Sequence, residues 1–230
     1  MLDSRYINQS NDTVVSEWTD RSGNANNAAQ ATALQQPRFI TAVVGGNGVV
    51  RFDGSNDFLS IPDSDTLDSS TYIHIFAGYR MRQSSSVGTI VGKRRNDAAG
   101  TYNYALYSIS LTNYCTFGES SPVQDNYGVL SAAEVTNTNY IFNYSYKQNS
   151  FNAFRNGTSQ STSQLLNGSA TISGNSATFQ IGNGPSSGIA NQWPASVDLF
   201  FVYFLKDEIT TALRKRTEHA AAYSFKIACS

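Results

Sequence analysis

Asp53-Gly-Ser-Asn56-Asp57 sets three oxygen-bearing side chains within five residues, the hard donor set that a calcium ion takes from a tight turn. Asp20 and Asn24, in an earlier Ser-Gly-Asn turn, would add two more oxygens if the two loops met in space. The simpler account of Asp53, Asn56 and Asp57 needs no metal, because an Asx-stabilised turn between two strands uses the same residue types. Calcium is the one cofactor the sequence raises.

A second chemistry is sugar recognition, which needs an aromatic face for the CH side of the ring and planar amides for its hydroxyls. Tyr102, Tyr104 and Tyr107, with Asn103 and Asn113, supply both beside the polar loop 94–100. Trp193, next to Asn191 and Gln192, supplies them again just before the last strand. Tyr102, Tyr104, Tyr107, Asn113, Asn191 and Trp193 are therefore the candidate ligand-binding residues. The competing reading places these aromatics in the core or on the sheet surface, and Trp18, followed at once by a turn, is expected in the core.

Nucleophilic catalysis finds no support. The only histidines are His74, in a strand-like run, and His219, in a helical one, and neither lies near a Gly-x-Ser-x-Gly elbow. Cys115 and Cys229 are too few for a disulfide framework and read as two separate thiols. With the two histidines they are too scattered to bind zinc. No enzyme activity is expected.

The composition agrees with a binding surface. Charged residues make up 14% of the chain, against about 25% in ordinary globular proteins, so the surface is polar and nearly uncharged. With 16 basic and 17 acidic side chains there is no broad positive field, which makes nucleic acid a poor partner. No apolar run reaches the ~18 residues of a membrane span. The segment Met1 to Ser10 lacks a basic start followed by an apolar stretch, so no secretion signal is read and another route to the exterior is expected.

Strand signals dominate the chain, with short β-branched or aromatic runs punctuated by Gly, Asn, Asp and Ser. The clearest are 49–52, 58–61, 72–81, 89–93, 102–109, 140–146, 151–154, 178–181 and 197–205. Both faces of 72–80 carry bulky residues, which predicts a central strand. Gln148-Asn149 lies between two runs with alternating aromatics and predicts a hairpin. One helix is expected at the end, from Asp207 as cap to Phe225, with Ile209, Leu213, Ala220 and Ser224 along one face. The Ser/Gly-rich stretch 159–176 reads as an exposed connection with a short strand, not a linker between domains, and residues 1–230 as one domain.

Three blocks carry a resemblance. Trp18-Thr-Asp-Arg-Ser-Gly-Asn, then Phe52-Asp-Gly-Ser-Asn-Asp-Phe-Leu, then the closing strand 197–205 with its helix resemble the concanavalin A-like superfamily. Within it they are similar to the laminin-G-like jelly rolls of bacterial surface and phage virion proteins. The resemblance implies an antiparallel β-sandwich with one C-terminal helix. Glycanases of that superfamily aim catalytic carboxylates from alternate positions of one strand. The lookalike here, Asp63-Ser-Asp65-Thr-Leu-Asp68, follows Pro62 among Ser and Thr and is expected to be a loop. The expectation is therefore a non-catalytic module on a virion or cell exterior that binds surface glycans or other virion subunits. A glycoside hydrolase or lyase of the same superfamily is the alternative. Homo-oligomers are left open, since no heptad or collagen-like segment announces one.

Overall fold

The computed structural model describes all residues except 70, 85–86, 95–101, 118–125, 131–132, 148–149, 166–175 and 185–192. The strands in chain order begin with β1 (Leu2–Asp3), β2 (Thr13–Val14), β3 (Glu17–Trp18), β4 (Ala28–Ala29), β5 (Arg38–Val44) and β6 (Asn47–Asp53). Next come β7 (Leu59–Ile61), β8 (Tyr72–Met81), β9 (Gly88–Arg94), β10 (Tyr102–Ile109), β11 (Thr112–Phe117) and β12 (Asn126–Leu130). The last are β13 (Tyr140–Lys147), β14 (Ser150–Arg155), β15 (Thr158–Ser159), β16 (Thr162–Leu165), β17 (Phe179–Ile181) and β18 (Ser196–Leu205), followed by helix α1 (Thr211–Phe225).

They form two antiparallel sheets. The helix-side sheet runs β15-β14-β13-β8-β18-β6-β5-β2, with β1 also paired to β18. The far sheet runs β16-β12-β11-β10-β9-β17-β7-β4-β3. Alternation explains the core between them. Ile73, Ile75, Ala77, Tyr79 and Met81 of β8 face Tyr104 and Leu106 of β10, Cys115 and Phe117 of β11, and Phe179 and Ile181 of β17 in one apolar cluster. Trp18 is 1% exposed and joins that cluster as expected. β8 is central as predicted, between β13 and β18. The 144–154 hairpin pairs as predicted, its Gln148-Asn149 turn lying outside the described residues.

The opposite face of β8 meets the helix. Val44, Val49, Phe76, Ile141, Phe200 and Phe201 pack on Ala221, Ala222 and Phe225. This corrects the expected helix in two respects. The cap is Thr210, whose hydroxyl accepts from Leu213 N, so Asp207 lies outside the helix. The buried face is Arg214, Glu218, Ala221, Ala222 and Phe225, while Leu213 is exposed. The helix buries an ion pair where apolar spacing predicted an aliphatic stripe. Cys115 sits between the sheets and Cys229 packs on the helix side, so the two thiols are separate and free.

One glycine is needed for the helix to dock. At Gly78 an added Cβ would lie 2.3 Å from the Phe201 ring of the adjacent strand. Gly78→Ala is expected to cost about 1–3 kcal/mol through overpacking, read as a lowered midpoint in chemical denaturation.

Candidate functional site

The tyrosine run of β10 divides by alternation. Tyr104 points into the sandwich, fully buried, with its hydroxyl donating to Leu67 O at 2.8 Å and its ring stacked 5.0 Å from Phe204. Burial raises its phenol well above the ordinary value. Asn113 is also internal, its Nδ2 donating to Tyr79 Oη at 2.7 Å and to Glu134 Oε1 at 2.8 Å. Neither residue can reach a ligand, because both belong to the core-facing register of their strands. The Tyr102 side chain and Asn191 lie outside the described residues.

Tyr107 points the other way, and here the two aromatic candidate regions meet. Its ring lies 5.8 Å from Trp193 and is stacked on Tyr114 at 5.2 Å, with an interplanar angle of 13°. These rings, with Val87, Ala105 and Ile109, form a cluster on the outer surface of the far sheet, separate from the core. Tyr107 is itself covered, so Trp193 and Tyr114, both half-buried, are the rings a ligand would touch. Main-chain bonds hold Trp193 in place, its carbonyl accepting from Thr89 N at 2.9 Å and its amide donating to Gly184 O at 3.2 Å. Beside the platform, register aligns Ala105, Gly92, Gln180 and Ser60 across four strands. This strip is smooth, since a Cβ on Gly92 would approach Ala105 Cβ to 2.7 Å.

Tyr114 escaped the sequence reading. The signal was there in the two-residue reversal at Ser110-Leu111, which sets Tyr107 opposite Tyr114. Both reversal residues have positive φ, 48° and 67°, the backbone of a tight hairpin turn that usually announces itself with Asn-Gly. Leu111 packs on the core instead, which offsets the strain.

The acidic loops are occupied internally. Asp53 Oδ1 accepts from Ser55 N at 2.8 Å, Asn56 N at 3.2 Å and Asp57 N at 3.3 Å, and Asp57 Oδ2 accepts from Asp53 N at 3.1 Å. Asn56 turns its amide to Leu34 O at 3.1 Å. Calcium needs six or more oxygens aimed at one point, and these side chains are aimed at backbone groups, so the set fits an Asx turn and does not fit calcium. Burial and the neighbouring Asp53 push the Asp57 carboxyl up to about 6. The Asp20 turn is built the same way, accepting from Ser22 N and Asn26 N at 2.9 and 3.1 Å. No hydrogen bond joins the two turns among the described residues.

The carboxylate triplet is a loop with a short 3-10 turn, as expected. Asp63 and Asp68 converge on Lys93 Nζ, at 2.7 and 2.5 Å, whose side chain is fully buried, while Asp65 faces solvent. Two of the three carboxylates thus neutralise one lysine, and they do not flank an open bond-cleaving cleft.

A polar pocket of about 190 Å³ opens where β8, β13 and β14 meet the start of the helix, lined among others by Tyr72, Ser145, Asn152 and Arg214. Behind it runs a buried chain. Tyr72 Oη and His74 Nδ1 are 3.1 Å apart, and His74 Nε2 and Asn143 Oδ1 are 3.1 Å apart. Asn143 Nδ2 donates to Glu218 Oε1, and Arg214 Nη1 donates to Glu218 Oε2 at 2.5 Å. Because Asn143 turns its amide to the carboxylate, its oxygen faces His74, so Nε2 carries the proton and Nδ1 accepts from Tyr72. Burial depresses His74 to about 4, opposed by Asn143.

No family model matches the sequence, and no curated protein does. Solved structures do match in fold. A Trypanosoma rangeli sialidase in complex with sialic acid aligns with TM-score 0.64 and 12% identity, over 96% of this chain and 32% of that one. The binding domain of Paraclostridial Mosquitocidal Protein 1 aligns with TM-score 0.67 and 10% identity, over 91% of this chain and 51% of that one. The CBM40 of a Ruminococcus gnavus IT-sialidase, bound to alpha2,3 sialyllactose, aligns with TM-score 0.59 and 9% identity, over 74% and 95%. The chain therefore spans a third to a half of the first two. At these identities the likeness establishes the fold alone, an antiparallel β-sandwich.

Proposed function

We propose that this chain is a non-catalytic carbohydrate-binding module that takes its glycan on the far sheet, against Trp193 and Tyr114. The observation that carries the reading is the aromatic platform itself, two half-exposed rings buttressed by Tyr107 on an outer sheet surface. Rings of this kind cover the apolar face of a sugar. The same sandwich serves, in the Ruminococcus gnavus domain, as a module bound to alpha2,3 sialyllactose, which supports the class of ligand.

A glycan array, followed by titration of the best hit, tests the proposal. Trp193→Ala is expected to weaken binding about tenfold, the loss of one stacking contact. Tyr104→Phe, a core change, is expected to leave affinity unchanged. Retention of full affinity by Trp193→Ala would sink the assignment. EDTA is expected to have no effect, because the Asp53 to Asp57 turn needs no ion.

The laminin-G-like resemblance extends the proposal to the exterior of a phage particle. There the chain is expected to co-sediment with virions, and a free monomer that attaches to no particle would overturn that part.

A further inference from the structure

A second site lies on the opposite sheet. Residues 38, 51, 198 and 80 are register partners across β5, β6, β18 and β8, which puts Arg38, Arg51, Asp198 and Arg80 in one row. Their strand neighbours Val50, Phe52, Tyr79, Met81, Val197 and Leu199 all face the core, so the row lies on the outer surface. The helix packs over Phe76, Phe200 and Phe201, and the row is no part of that contact.

Asp198 is over-supplied with cations. Its fully buried carboxylate accepts from Arg51 Nε at 2.7 Å, Arg51 Nη2 at 3.0 Å and Arg80 Nε at 2.8 Å. Arg82 stands 3.9 Å away, an ion pair without a hydrogen bond. Arg38 is balanced by Asp12 at 3.2 Å. Asp53, two residues along β6 from Arg51, spends its carboxylate on the turn and pairs with none of the three. Asp198 therefore faces three guanidinium groups, while Asp12 pairs with Arg38 and acts on Arg51 only through space. Arg51 alone satisfies both of its oxygens, so a structural role for Asp198 does not require Arg82.

The three arginine side chains are partly exposed. The side chains of Arg51, Arg80 and Arg82 are 26%, 19% and 34% exposed. Arg51 Nη1, both Nη atoms of Arg80 and the fork of Arg82 have no protein partner among the described residues. Asp198 anchors the Nε edges of Arg51 and Arg80, which reduces the entropy an incoming anion must remove. Arg51 and Arg80 both donate to Asp198 Oδ2, at 3.0 and 2.8 Å, so their guanidinium groups stand close together, and Arg38, 51% exposed, extends the row of cations by one strand, which suits successive charges on a chain better than a single ion.

We propose that Arg51, Arg80 and Arg82 form an anion site for the carboxylate or sulfate groups of an acidic polysaccharide. It lies on the sheet opposite Trp193 and stands whether or not that platform binds sugar.

Calorimetric titration at low salt with dextran sulfate, unmodified dextran and inorganic sulfate tests the site. Dextran sulfate is expected to bind and dextran to fail. Arg82→Gln should weaken dextran sulfate about tenfold, the loss of one charge-assisted contact, with an unchanged thermal midpoint. Arg80→Gln should weaken it similarly at some cost in stability, which makes Arg82→Gln the decisive variant. Unchanged affinity in Arg82→Gln would overturn the proposal, and so would inorganic sulfate binding as tightly as the polymer, which would reduce the site to a lone-ion one. Trp193→Ala is expected to leave dextran sulfate binding intact, so failure of the platform and failure of this site are read separately.

Discussion

Replacing Glu218 by alanine is expected to destabilise the protein by about 3–5 kcal/mol, the cost of stripping one partner from a buried ion pair. Glu218 is fully buried between the helix and the sheet, and its two oxygens accept from Asn143 Nδ2 and Arg214 Nη1. The variant would leave both donors buried and unpaired. Among the described residues Arg214 would keep its place over the Phe154 ring, 3.6 Å from the guanidinium carbon. The Glu218→Leu, Arg214→Met pair should lose far less, since it removes both charges and retains apolar volume. Chemical denaturation of the two variants checks this, and equal losses would show that packing and not charge governs the helix–sheet contact.

Acid should expose the other end of the same chain. The His74 imidazole is satisfied in its neutral form, accepting from Tyr72 and donating to Asn143. Burial depresses it from 6.5 to about 4, so over that window the unfolded chain binds a proton that the folded one refuses. Stability from this group is fully present above pH 6.5 and is lost as the pH falls towards 4, by about 3 kcal/mol in all. His74→Gln should remove that share of the acid slope. Comparing the two proteins isolates His74 from Glu134 and Asp57, whose burial raises their carboxyls and therefore acts in the opposite sense as pH changes. Parallel slopes in wild type and His74→Gln would refute the assignment.

Both effects arise where the residue pattern was least informative. Period-2 alternation and turn chemistry in the sequence determined the strands, the central place of Tyr72–Met81, the core position of Trp18 and the sandwich class, because each is a local consequence of side chains alternating across a pleat. The Asp53–Asp57 turn was legible for the same reason, being a contest among residues four apart. Among the longer strands, 38–44, 112–117 and 126–130 were missed, as was the true buried face of the helix, since Arg214 and Glu218 read as surface charges until each is seen to neutralise the other.

The sites depended on the tertiary structure. Tyr104 and Tyr107, three residues apart, fall on opposite faces of their strand by alternation, and only the packing of the two sheets decides which face turns inward. Trp193 reaches Tyr107 from 86 positions away by docking on Thr89. Arg51, Arg80 and Arg82 gather because β18 inserts between β6 and β8, bringing Asp198 within reach of all three. Alternation is written in each strand alone, whereas a binding surface is made by which strands become neighbours, a choice settled by burial of the whole core.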